Sequence, residues 1–263
     1  MRLRYCFWSV LLPVVVATAA FGQMVEEQES ESTASNAPPA EAAAVALSPA
    51  AAELIVKQTN EFRRSEDLEA VEGDAQLAET AGYFADYMAK TDRYGHTADG
   101  SRPSGRATRF GYEYCLISEN IAYQYSSQGF ATEELAMRFV TGWKESPGHR
   151  KNMLEPAVTQ TGVAVAQSSN TGYWYAVQMF GRPKSKAIEF TITNRSSASV
   201  SYTIDERKFA LPPRYSRTHT RCRESKVDIE AAREGALDTT VTPKDEERFF
   251  IEGQGGKLRL RQE

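Results

Sequence analysis

Hydrophobic residues recur at helical spacing in three stretches between residues 48 and 143. Ser48 and Pro49 suit the N-cap and first position of the first helix, while Asp74 precedes the second and Thr132 is the expected cap of the third. The inward faces predicted for the three helices are Ala51, Leu54, Ile55 and Phe62; Leu77, Ala81, Phe84, Ala85 and Met88; and Ala136, Phe139, Val140 and Trp143. Residues 161–166 and 173–180 instead predict a β-hairpin around an Asn/Gly-containing turn. Helices followed by a hairpin indicate one α+β domain over residues 48–183.

The pattern after residue 183 is of β type. Apolar and polar residues alternate over 188–192 and 200–204, and 209–211, 248–251 and 257–260 are further short strand candidates. Residues 184–263 are therefore predicted to form a small all-β domain of unknown family, either a sandwich or an open barrel. A domain of this size is marginally stable by itself, so we expect a disulfide or docking onto the first domain to support it.

The N-terminus has the pattern of an exported protein. Residues 1–22 combine Arg2 and Arg4 with a short apolar run and small residues, which predicts a signal peptide, with an uncleaved membrane anchor as the alternative. Residues 23–47 are rich in Glu, Ala, Ser and Pro and are predicted to be a disordered linker. No later segment is long and apolar enough to span a bilayer, so a secreted, periplasmic or cell-envelope location without a transmembrane segment is expected.

The net charge bears on the class of binding partner, and the cysteine content bears on whether a disulfide forms. The formal net charge of −4 becomes −6 without Arg2 and Arg4, which gives no reason to expect nucleic acid as a partner. Export would leave Cys115 and Cys222, which could form one disulfide or remain two small apolar residues.

Candidate chemistry centres on two of the three histidines. His149 directly follows a Ser-Pro-Gly helix break, His96 lies in the polar turn 94–100, and Glu119 lies in a polar segment between them. Two histidines with one or two carboxylates are a familiar ligand set for a divalent ion such as zinc, and Glu145 lies close enough in sequence to join them.

Each candidate also has a structural interpretation. His149 could cap a turn, His96 could be a plain loop residue, and Glu119 could be a first-turn acid at a helix N-terminus. His219 is interpreted as a surface residue.

Several motifs occur in a fixed order between residues 49 and 181. They are Asn-Glu-Phe-Arg at 60–63, Tyr-Gly-His at 94–96, Arg-Phe-Gly-Tyr at 109–112, Ser-Glu-Asn-Ile-Ala at 118–122, the Gly-Trp and Ser-Pro-Gly-His-Arg-Lys-Asn-Met-Leu run within 142–154, and the closing hairpin. In this order they resemble the CAP superfamily, or SCP domain, of cysteine-rich secretory proteins, venom allergens and plant pathogenesis-related proteins. The pattern is most similar to the bacterial branch.

The resemblance implies an α-β-α sandwich whose central cleft holds a divalent ion, often zinc, with two histidines and two acidic residues. His96 and Glu119 match the first histidine and acid of the family, whereas Glu145 and His149 would fill the other two roles from shifted positions.

Three functional hypotheses follow. The first is a secreted binding module with a metal-capable cleft that recognises a lipid, a glycan or a protein at or outside the cell envelope. The second is a zinc-dependent, peptidase-like hydrolase that activates water near Glu119 or Glu145. The third is an exported scaffold whose polar cleft has no role. The sequence has no Gly-x-Ser-x-Gly elbow and no His-Glu-x-x-His helix, so no catalytic residue is assigned.

Overall fold

The computed structural model describes residues 46–231, 238–254 and 257–263. The predicted signal peptide, and the predicted linker up to residue 45, lie outside these ranges. The first group of elements is β1 (Ala46–Leu47), α1 (Pro49–Ser65), β2 (Glu72–Gly73), α2 (Ala75–Thr91), α3 (Pro103–Arg109), β3 (Tyr114–Gln124), α4 (Thr132–Glu145), α5 (Pro147–Met153), β4 (Gln160–Gln167) and β5 (Trp174–Pro183). The second group is β6 (Ile188–Asn194), β7 (Val200–Ile204), β8 (Arg207–Leu211), β9 (Ser216–Arg221), β10 (Val227–Ala231), β11 (Asp238–Val241), β12 (Arg248–Gln254) and β13 (Lys257–Gln262).

The first group is an α-β-α sandwich, as predicted. Its sheet has the order β1-β4-β5-β3, with β2 paired to β4, and the predicted hairpin is the antiparallel pair β4 and β5. Because alternate residues of a strand face opposite sides, β5 serves two cores. Phe180 packs with α1 and α4, whereas Met179 packs with α2. The residues predicted for the inward helix faces are buried, except that Leu54 is half-buried.

Helix starts agree with the sequence in most details. Asp74 caps α2 by accepting a hydrogen bond from the Leu77 backbone N–H at 2.9 Å. Pro49 begins α1 as predicted, although the Ser48 side chain makes no capping hydrogen bond. The predicted cap Thr132 is instead the first residue of α4, one position into the helix.

The end of the predicted linker is ordered. Ala46–Leu47 forms strand β1, which pairs antiparallel with Ala166 and Gln167 of β4. The backbone hydrogen-bonding groups of this sheet edge thereby gain partners, which a composition-based argument about residues 23–47 does not reveal. These two residues belong to the sheet and not to a linker.

The second group is a β-sandwich. One sheet has the order β11-β10-β7-β8 and the other β13-β12-β6-β9, with β6 and β12 parallel. Apolar residues of both sheets form a single core, which includes Phe190, Ile192, Tyr202, Ile229 and Phe249. The prediction of a small all-β region is therefore confirmed, in its sandwich form.

His219 is not the surface residue that the sequence suggested. Its Nε2 lies 2.8 Å from the Tyr202 hydroxyl of the other sheet, and its half-buried ring packs beside Phe190 and Phe209. Burial, and then the nearby arginines Arg217 and Arg207, lower the pKa of His219.

A disulfide joins the two groups of elements. Cys115 of β3 is bonded to Cys222, with their Cα atoms 5.4 Å apart, so the bridged alternative is confirmed. Beside it, Arg223 Nε and Nη2 donate to the two carboxylate oxygens of Glu155 at 3.1 and 3.0 Å. In the part of the chain that the structure describes, no helix has the length and apolar character to cross a membrane.

Candidate functional site

His96 and Glu119 form the centre of the site. His96 lies in the turn between α2 and α3, and its Nδ1 is 2.8 Å from Glu119 Oε1. Glu119 is a residue of strand β3, so its interpretation as an acid at a helix N-terminus is wrong. The Glu119 side chain is 1% exposed while that of His96 is 48% exposed, so a buried carboxylate contacts a half-exposed imidazole.

Arg106 of α3 binds the carboxylate oxygen of Glu119 that His96 does not contact. Its Nη2 donates to Glu119 Oε2 at 2.7 Å, and its Nη1 donates to Asp99 Oδ1 at 2.8 Å. The same guanidinium donates to the His96 carbonyl at 3.0 Å and stacks 3.5 Å from the centre of the Phe84 ring. Arg106 therefore holds both the carboxylate and the backbone of the histidine that contacts it.

The sequence reasoning missed Arg106 entirely. A basic residue in a short segment between polar turns is ordinarily a solvated surface residue. The available signal was the clustering of Asp99 with His96 and Arg106 within about ten positions, but pattern reasoning could not show that Glu119 lay opposite them.

His149 approaches from the other side on α5. Its ring centroid is 6.4 Å from that of His96. Ser146 occupies the N-cap position and Pro147 the first position of this short helix. Burial, and then the neighbouring His96, lower the pKa of His149 and so favour its neutral imidazole.

Two asparagines hold α5 against β3. Asn120 Nδ2 donates to the His149 carbonyl at 3.2 Å, and Asn152 Nδ2 donates to Asn120 Oδ1 at 2.9 Å. Asn152 also reaches the Glu119 carbonyl at 3.2 Å. Both residues belong to motifs that carried the resemblance, and their role is to fix the spacing between His149 and the strand that carries Glu119.

The profile of the cysteine-rich secretory protein family, CAP, matches residues 56–180. This range includes every element that builds the site. Residues 56–180 of the chain form a CAP domain.

Similar proteins match about half of the chain and not its whole length. The uncharacterized protein YkwD of Bacillus subtilis (strain 168) is 31% identical over 118 residues, which cover 44% of this chain and 42% of YkwD. This chain thus spans less than half the length of that curated relative. An extracellular SCP-domain protein of Bacillus anthracis str. Ames is 26% identical with a TM-score of 0.42, covering 50% of this chain and 40% of that one. An outer surface protein of Borrelia burgdorferi is 20% identical with a TM-score of 0.45, covering 51% of this chain and 93% of that one.

The metal ligands expected of the CAP domain are brought together in part. His96, Glu119 and His149 converge, but Glu145 is exposed at the end of α4, and among the described residues no hydrogen bond or ion pair joins it to the other three. Both oxygens of Glu119 are already bound, by His96 and by Arg106. Within the described ranges no group of three or more His, Cys, Asp or Glu side chains is arranged to hold a metal ion. Of the four expected ligands, the two imidazoles remain as possible donors, because Glu119 is engaged at both oxygens and orients the ring of His96.

Proposed function

We propose that the CAP domain is a binding module that acts in the cell envelope or outside the cell, with His96 and His149 at the centre of its recognition site. The observation that supports this role most directly is that His96 is half exposed while the side chains that hold it are buried. A buried cluster of Glu119, Arg106 and Asp99 holds a half-exposed imidazole at the surface. Such a fixed polar group needs little reorganisation to bind a ligand.

The imidazole pair also supports a capacity for divalent metal. Glu119 accepts from His96 Nδ1, so the lone pair of a neutral His96 ring lies on Nε2, and burial lowers the pKa of His149, which favours its neutral form. His96 Nε2 and one ring nitrogen of His149 would hold the ion, and Glu119 would fix the orientation of the His96 ring. A zinc ion bound there would present open coordination positions to an oxygen ligand.

The geometry favours binding over hydrolysis. A hydrolase of the proposed type needs a carboxylate that is free to take a proton from water. Glu119 is engaged at both oxygens, and Glu145 makes no hydrogen bond or ion pair with the histidines among the described residues. No particular observation supports the hydrolase hypothesis, whereas the surface-exposed imidazole supports recognition.

Zinc titration of the mature protein tests the proposal. Isothermal titration should give a zinc affinity that His96→Ala and His149→Ala each weaken by about tenfold or more, because each removes one of two imidazole donors. Glu145→Gln is the matched control and should leave the affinity unchanged. Equal zinc affinity in the wild type and both histidine variants would contradict a metal site at this pair.

The same variants separate binding from catalysis. Wild-type protein loaded with zinc should cleave no member of a peptide library above the background of the His96→Ala variant. Zinc-dependent turnover that is lost in both histidine variants would overturn the binding role and support the hydrolase instead.

A further inference from the structure

Four tyrosines form a continuous row on the CAP domain. We name Tyr94, Tyr123, Tyr173 and Tyr125 the tyrosine ridge. Neighbouring ring centroids lie 4.9, 5.5 and 5.1 Å apart in that order, and the first two pairs meet edge to face at 80° and 85°. Tyr94, Tyr123 and Tyr125 are 47%, 50% and 54% exposed. Contiguous exposed aromatic surface of this kind marks an interaction site more often than isolated exposed rings do.

The ridge begins at the candidate site. Tyr94 lies two residues before His96, and its hydroxyl donates to the carbonyl of Ile121 at 3.1 Å, two residues beyond Glu119. The rings of the ridge thus extend from the edge of the imidazole site toward the turn between β4 and β5.

The far end of the ridge is fixed by Asp92 at the end of α2. Its Oδ1 accepts from the Thr171 hydroxyl at 2.7 Å and from the Tyr175 hydroxyl at 3.1 Å. Thr171 lies in the turn that leads to Tyr173, and Tyr175 packs beneath Tyr123 and Tyr173 at 6.3 and 6.4 Å. The exposed rings therefore rest on a buried, hydrogen-bonded support and do not have to be ordered when a partner binds.

In the described ranges, no cation covers the rings of the ridge, and three of its four hydroxyls have no protein partner. Elsewhere, aromatic rings are covered by guanidinium groups: Arg109 lies 4.7 Å from the centre of the Tyr83 ring, and Arg195 lies 3.7 Å from that of Phe250. No lysine or arginine of the described ranges lies over a ring of the ridge. In the same ranges, the hydroxyls of Tyr123, Tyr125 and Tyr173 have no protein hydrogen-bond partner.

The chemistry of the ridge selects its partner. It offers flat apolar rings with hydroxyl groups at their rims and contributes no charged side chain. A nucleic acid would require Lys or Arg along its path, and a lipid chain would require an enclosed apolar cavity. A neutral glycan matches instead, because each sugar ring presents an apolar C–H face to an aromatic ring and a rim of hydroxyls to hydrogen-bonding groups.

The geometry points to the tyrosine ridge as the binding surface for a neutral glycan chain that extends from the imidazole site. This inference takes its binding role from the proposed function, but it rests on residues other than the two histidines. Its experiments can therefore fail while the metal site stands, and the reverse.

Titration with two defined oligosaccharides tests the ridge. Cellohexaose and chitohexaose are added to the mature protein in EDTA and binding is followed by calorimetry. At least one should bind, and Tyr123→Ala and Tyr125→Ala should each weaken it by about tenfold, the loss expected for a contact aromatic. Tyr125→Phe keeps the ring and should lose less, while Tyr215→Ala, which removes a 64% exposed tyrosine of the β-sandwich, should match the wild type.

Several outcomes decide between this proposal and its competitors. Absence of binding to both oligosaccharides, or equal binding by Tyr123→Ala and wild type, would overturn it. Preferential binding of a decaproline peptide would assign the ridge to a peptide and would also overturn it, since proline-rich segments dock on aromatic surfaces. Zinc affinity should be unchanged in the tyrosine variants. Glycan binding that persists in His96→Ala would support the ridge even if zinc binding fails.

Discussion

At the residue scale, Arg106 explains more of the site than the histidines that first indicated it. One guanidinium contacts two buried carboxylates, two backbone carbonyls and an aromatic ring. Its side chain and those of Asp99 and Glu119 are each 1% exposed, so water screens none of these charges well. Removal of either partner from such a buried pair leaves an uncompensated charge.

We predict that Arg106→Gln lowers the free energy of unfolding by about 3–5 kcal/mol, because Asp99 and Glu119 lose their counter-ion while they stay buried. Urea unfolding followed by circular dichroism measures the change. Arg138→Gln is the control: Arg138 pairs with Glu134 at 2.8 Å on the exposed face of α4, and its loss should cost at most about 0.5 kcal/mol. Similar urea midpoints for the two variants would show that Arg106 does not stabilise the buried cluster with Asp99 and Glu119.

At the element scale, the sequence predicted the strongly periodic elements and missed β3 and α3, which carry Glu119 and Arg106 of the site. Helices α1, α2 and α4 each bury a continuous apolar stripe, so the spacing of their apolar residues predicts a helix from the sequence. Strand β3 carries Glu119 and Asn120 inward along with Ile121, so its alternation of apolar and polar residues is broken. Helix α3 has seven residues and buries Arg106 with Ala107, which gives no apolar stripe to detect. The functional polar residues themselves weaken the signal on which pattern reasoning depends.

The contact between α2 and β4 gives a prediction at this scale. A Cβ atom at Gly162 would lie 2.1 Å from the Ala78 backbone nitrogen and 2.2 Å from the Leu77 carbonyl carbon, and backbone atoms cannot move aside cheaply. We expect Gly162→Ala to destabilise the protein by about 3 kcal/mol through overpacking, measured as a shift in the urea midpoint.

Gly142 provides the matched control on a helix. It is exposed within α4, and a Cβ atom there would meet nothing within 4 Å. Gly142→Ala should stabilise the protein by up to about 1 kcal/mol, because alanine is the better helix former. A destabilised Gly142→Ala or a neutral Gly162→Ala would contradict this account of the helix–sheet spacing.

At the scale of the whole molecule, the CAP domain and the β-sandwich have separate hydrophobic cores. The CAP domain buries residues on both faces of its sheet, and the β-sandwich has a core of its own. Cys115–Cys222 and the Arg223–Glu155 ion pair connect them, and Cys222 also packs against the core that contains Trp143. The sequence alone did not decide whether the disulfide forms, because cysteine spacing carries no information on the distance between Cα atoms.

The disulfide should couple the unfolding of the CAP domain to that of the β-sandwich. It closes a loop with a sequence separation of 107, for which chain entropy predicts a stabilisation of about 4–5 kcal/mol. Trp143 and Trp174 both lie in the CAP domain, and the third tryptophan is Trp8. Tryptophan fluorescence of protein produced without residues 1–22 therefore reports the CAP domain, whereas circular dichroism reports both domains. In wild type we expect the two signals to change together in urea.

In Cys115→Ala/Cys222→Ala the circular dichroism should begin to change at lower urea than the fluorescence, because the small sandwich has lost its covalent support. Dithiothreitol should convert the wild type to the behaviour of the variant and leave the variant unaltered. Coincident transitions in the variant would mean that the interface between the CAP domain and the β-sandwich couples them without the disulfide.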